Sequence, residues 1–135
     1  MRHSEAEEPF ARTADALFEA HPGGSSRILL APALLDAECA NGLVKAVRRG
    51  RPASVDAVEA MARVLTLPIE RLVASPSSLA GLRLALRHGI SAHDGVYVAV
   101  AAQEKAPLIA ADRRLVWALR DTRHDVRLLA DVAEA

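Results

Sequence analysis

The sequence predicts an α/β protein built on a parallel sheet with helices on both faces. The runs RILLAP (27–32) and PLIAA (107–111) are short and uniformly apolar, as strands buried on both faces are, and lack the alternation of a half-exposed strand. Stretches of helical apolar spacing separate these runs and are long enough to carry the chain back for a parallel return. A chain of 135 residues, 51% of them hydrophobic, can bury one core of useful size. A single domain over 1–135 is therefore expected.

Phe10, Ala14, Leu17 and Phe18 give 5–21 helical spacing, and PGG at 22–24 stops it. RILLAP is the next strand. Pro32 suits the first turn of the following helix, 32–49, because proline gives up no hydrogen bond there. Leu35, Cys39, Leu43, Ala46 and Val47 form that helix's apolar stripe, and Leu34, Glu38, Asn41 and Lys45 run beside it. Ser54 reads as the N-cap of a helix over 55–64, and LTLPIERL (65–72) as a strand broken at Pro68. A serine- and proline-started helix over 75–89 closes at Gly89, and Ser91 opens another that runs to 105. PLIAA is followed by a short helix over 112–120, and HDVRLLADV (124–132) supplies a last strand.

Composition excludes several classes. No long uncharged apolar run suggests a membrane span, and MRHSEAEEPF lacks the basic-then-apolar order of a secretory signal, so a cytoplasmic protein is expected. With 17 basic and 17 acidic residues, charge by itself selects no partner. Cys39 is the single cysteine and reads as a small packed thiol. Arg48, Arg49 and Arg51 read as a solvated helix end, with the edge of an RNA-binding surface as the alternative. The five histidines are scattered, without the i, i+4 pairing of a zinc helix, and PGGSS precedes a strand, the wrong context for a phosphate loop.

Three acids carry the chemistry. Asp94 follows Ser91 by three residues and fits a capping box; Asp112 stands between strand and helix, where an Asp N-cap is common. Glu38 has no such structural excuse, because a carboxylate beside an apolar stripe needs a partner, a path to water or a metal ion. Asp94 and Asp112 are expected at the sheet edge where α/β folds gather ligands. If Glu38 reaches that edge, the three carboxylates suit Mg²⁺ or Mn²⁺ and phosphodiester hydrolysis.

APALLDAECANGL (31–43) and SAHDGVYVAVAAQEKAPLIAADRRL (91–115) resemble two blocks of the PIN domain family, in its VapC-type toxin branch. The resemblance spans 5–132. It implies a PIN-like α/β/α sandwich, Mg²⁺- or Mn²⁺-dependent endoribonuclease activity on RNA, and a small antitoxin as partner. It makes Glu38, Asp94 and Asp112 the metal-binding catalytic acids, with Asn41 supporting them. The family's first strand, central in its sheet and ending in a metal-binding Asp, has no counterpart, since SEAEEPFARTADALFEAH resembles the helix that follows it. A start upstream, strands that close up or are borrowed from a second copy, and an inactive relative are all compatible with that difference. Ala110 also stands where the family often has a hydroxyl. Three acids in place of four imply reduced activity. The alternative is a catalytically inactive PIN-like protein that binds an antitoxin or RNA. The apolar stretches 10–18 and 55–65 suit a homodimer interface.

Overall fold

The computed structural model describes residues 28–132, which form two compact units, Ile28–Ala74 and 75–132. The helix expected over 5–21 lies outside the described residues. Both units are α/β and the strands pair in parallel as the sequence predicts, but each unit has its own two-stranded sheet where a single sheet is expected.

In Ile28–Ala74, β1 (Leu29–Pro32) pairs in parallel with β2 (Ile69–Leu72), from Leu29 opposite Ile69 to Pro32 opposite Leu72. Pro32 is thus the last residue of the strand and not the first of a helix. Having no N–H, it fits at a position that does not donate to β2, and the Ala33 amide continues the pairing to the Leu72 carbonyl at 2.7 Å. The strand is not buried on both faces: Ala31 and Pro32 are covered, whereas Leu30 is 36% exposed and Ile28 70%. Among the described residues β1 has a neighbouring strand on one side only.

The crossover runs through α1 (Leu35–Arg48) and α2 (Ser54–Thr66). Asp36 and Glu38 in the first turn of α1, and Lys45 and Arg48 in its last, complement the helix dipole. Beyond it, Gly50 takes φ +77°, which a side chain would resist. The N-cap of α2 is Ala53 and not Ser54, whose side chain makes no capping bond. The helix also extends into the stretch expected as strand. It stops only where Pro68 forces Leu67 into the extended conformation, φ −64° and ψ 143°.

In 75–132, a 3₁₀ turn (Ser75–Ser77) leads into α3 (Ser78–His88), ended by Gly89 in the left-handed conformation with its amide on the Ala85 carbonyl. Next come α4 (Ala92–Gln103), β3 (Leu108–Ala110), α5 (Arg113–Ala118), β4 (Val126–Leu128) and α6 (Leu129–Val132). The strands pair in parallel, Leu108 opposite Val126 and Ala110 opposite Leu128. The strand expected over 124–132 is therefore shorter and gives way to a helix. Since β3 ends at Ala110, residues after Leu128 have no ladder left to join.

The core of this unit is Val98, Leu115 and Leu119, against which Leu84, Ile90, Leu108, Ala110 and Val126 pack. Helices α3 and α4 meet backbone to backbone beside it. A Cβ on Gly95 would run into the Gly81 carbonyl oxygen, and one on Gly81 would stand 2.7 Å from the Val96 amide nitrogen. Only glycine permits that approach. Among the described residues no helix is long and apolar enough to cross a membrane.

Gly95→Ala therefore overpacks a contact made by backbone, which cannot swing aside. It is expected to cost about 1–3 kcal/mol, read as a lower midpoint in urea unfolding. An unchanged midpoint would mean that the two helices separate freely.

Candidate active site

Asp94 is set by the start of α4. Ser91 is the N-cap, its Oγ accepting the Asp94 amide at 3.1 Å, so the serine half of the expected capping box is present. The Asp94 residue is half-buried. Asp112 is the N-cap of α5, and its Oδ1 accepts the Arg114 amide at 2.8 Å. That bond fixes the carboxylate and leaves Oδ2 outside the cap. Asp94 stands one turn before buried Val98 in the chain, and Asp112, which is exposed, stands two residues after Ala110 and three before buried Leu115.

Glu38 sits in the first turn of α1, in the other unit. Its Oε1 is buried and accepts no hydrogen bond, which is costly for an isolated carboxylate oxygen. Asn41, three residues on, is exposed. Asp36, a half-turn before Glu38, is held differently. Its Oδ2 accepts from Arg71 Nε at 2.8 Å, while Arg71 Nη1 and Nη2 donate to the Ile69 and Val64 carbonyls at 3.0 Å each. One guanidinium thus joins the start of α1, strand β2 and the end of α2. Nothing in the local sequence announces this, because Asp36 and Arg71 are 35 residues apart.

Cys39 is half-buried, and burial first, then the negative charges of Asp36 and Glu38, push its thiol pKa up, against a smaller lowering by Arg71. A thiol held protonated is a poor nucleophile, in keeping with its reading as a packing residue. Arg48 ends α1 and Arg49 is its C-cap, both exposed, as a solvated helix end requires. Among the histidines, His93 is exposed in the first turn of α4. His124 is half-buried, and desolvation, with Arg123 and His88 nearby, lowers its pKa. It lines a hollow of about 560 Å³ with Lys105, Arg123 and Arg127, at the end of β3 away from Asp112.

Among the described residues, no three His, Cys, Asp or Glu side chains are grouped as a metal ion would require. The chemistry of the individual donors nonetheless fits a hard divalent cation: all three candidates are carboxylates, and Glu38 Oε1 is buried without a partner.

The model of the PIN domain matches residues 2–119, which include all three acids. The chain belongs to the PIN domain family. PIN domains are in general metal-dependent nucleases that use divalent ions such as Mg²⁺ or Mn²⁺, and they are often the toxins of toxin–antitoxin systems. Proteins with this domain often bind RNA and antitoxins. No individual curated protein matches the chain. The mixed helices and parallel strand pairs agree with the α/β architecture of the family.

Replacing Arg71 with methionine keeps its apolar stem but strands the Asp36 carboxylate, whose Oδ1 is already buried without a partner, and frees two carbonyls. The thermal midpoint of Arg71→Met is expected to fall by several degrees, and pairing it with Asp36→Leu should recover part of the loss. Equal midpoints for wild type and Arg71→Met would show that the guanidinium ties nothing together.

Proposed function

We propose that this PIN domain protein is a Mg²⁺- or Mn²⁺-dependent endoribonuclease of the VapC type, the toxin of a toxin–antitoxin pair, with Glu38, Asp94 and Asp112 as its metal-binding catalytic acids. The observation that carries this reading is the family match over 2–119, joined to the motif blocks that hold the three acids. Glu38 supports it independently, since a divalent cation would relieve the cost of its buried, unpartnered Oε1. A bound ion would supply positive charge against the phosphoryl oxygens of RNA and make an attacking water more acidic.

The chain's own residues do the positioning. Ser91 fixes the first turn of α4, and the Gly81–Gly95 contact holds that turn against α3, so Asp94 is presented from a rigid element. The Asp112 carboxylate is oriented by its cap on α5. Asn41, nearly one turn beyond Glu38, lies on the same side of α1 and is proposed as its support.

A small antitoxin and a second copy of the chain are the proposed protein partners, and the cytoplasm the place of action. An apolar groove of about 370 Å³ between α1 and α2, lined by Leu43, Val44, Val47, Val58 and Met61, supports a protein partner. So does the exposure of Val55, Val58 and Leu65 along α2.

Calorimetric titration with Mn²⁺ and cleavage of single-stranded RNA test this reading together. Mn²⁺ is expected to bind, RNA to be cut only with metal present, and Asp94→Asn to slow cleavage by about 100-fold or more. Cleavage by Asp94→Asn at the wild-type rate would remove Asp94 from the site. Absence of Mn²⁺ binding at millimolar concentration, with RNA or antitoxin binding retained, would select the catalytically inactive binding protein.

A further inference from the structure

The single tryptophan of the chain, Trp117, is 66% exposed on α5, a helix whose other side buries Leu115 and leads directly to buried Leu119. An indole is a poor residue to leave in water. The ring is not idle: the Arg120 guanidinium carbon lies 3.7 Å from its centroid, and Arg120 Nη1 donates to the Trp117 carbonyl at 2.7 Å. Arg120 also approaches Asp121 Oδ2 at 3.6 Å, an exposed pair of little strength. One face of the indole is thus held against a flat cation, and the exposed remainder leaves ring surface for a second flat partner.

The surroundings are basic in a chain of zero net charge. Arg113 and Arg114, four and three residues before Trp117, share its side of the helix and are exposed. Residues 113–123 hold Arg113, Arg114, Arg120 and Arg123 against Asp121 alone. An exposed aromatic platform among arginines is the chemistry that receives single-stranded nucleic acid, with a base stacking on the ring and its phosphates meeting the guanidinium groups.

We infer that Trp117 is a stacking platform for a base of single-stranded RNA, with Arg120 holding the ring and Arg114 meeting the adjoining phosphate. The platform lies on the helix that Asp112 caps, five residues and about 7.5 Å of helix rise away. A base stacked there brings the neighbouring phosphodiester toward Asp112, so the platform would set which linkage is presented. This last point rests on the nuclease reading; the stacking itself does not.

The lone tryptophan makes the test direct. A short single-stranded RNA, fluorescein-labelled at one end, is titrated with the full chain in EDTA, which prevents metal-dependent cleavage. Anisotropy of the label and emission of Trp117 are followed together. Saturable quenching of Trp117 is expected to coincide with the rise in anisotropy, as indole stacked on a base loses emission. Trp117→Ala should weaken binding about 5- to 150-fold, the equivalent of the roughly 1–3 kcal/mol typical of base–aromatic stacking, and Trp117→Phe should restore most of it. RNA binding with unchanged tryptophan emission and undiminished affinity in Trp117→Ala would overturn the platform and leave the ribonuclease reading standing. Absence of RNA binding in EDTA would overturn the platform, while the ribonuclease reading is decided separately by metal-dependent cleavage. A blue shift of Trp117 that grows with protein concentration without RNA would overturn the platform by assigning this face to a second copy of the chain.

Discussion

The unit formed by 75–132 depends on a place where two helices touch through their backbones. At Gly81 and Gly95 the approach of α3 to α4 leaves no room for a methyl group, and the small core of Val98, Leu115 and Leu119 is built alongside. A close crossing of this kind has few ways to adjust, because neither partner can rotate a side chain out of the way. Asp94 immediately precedes Gly95, so the contact that packs the helix also fixes where that carboxylate begins.

Capping and catalysis make compatible demands on the two aspartates. A helix cap needs a short polar side chain in a fixed orientation beside the first free amides, and a metal ligand needs the same fixity. At Asp112 the cap engages Oδ1, and the other oxygen lies outside it. At Asp94 the serine before it accepts the amide, so the side chain is not needed for that bond. A capping role at either acid is therefore compatible with the proposed one. The cap bond holds the Asp112 carboxylate in one place, whereas at Asp94 the bond holds the backbone from which the carboxylate projects.

Charge in Ile28–Ala74 is arranged by one arginine. Arg71 satisfies two carbonyls and one carboxylate, and so neutralises Asp36 while Glu38, two residues on, keeps a buried oxygen without a hydrogen bond. Asp36 Oδ1 is likewise buried without a partner, so the two acids of the same helical turn differ in that Asp36 is held by an ion pair through its other oxygen. Their negative charges also help to keep Cys39 protonated, so the thiol contributes packing and not reactivity.

The sequence by itself determined the element types, the parallel pairing of the strands and the local roles of Ser91, Gly89 and Asp112, because periodicity, capping and left-handed turns are set by residues within a few positions of one another. It also carried the PIN family, whose blocks hold Glu38, Asp94 and Asp112. Element ends were less legible. Pro32 closes a strand, Ala53 replaces Ser54 as a cap, and β4 gives way to a helix at Leu129, since a strand's length depends on its distant partner. Only the tertiary structure decided that Arg71 grips Asp36, that Gly81 and Gly95 touch, and that Trp117 stands in water beneath Arg120. Burial and long-range pairing depend on which surfaces meet, and no window of neighbouring residues records that.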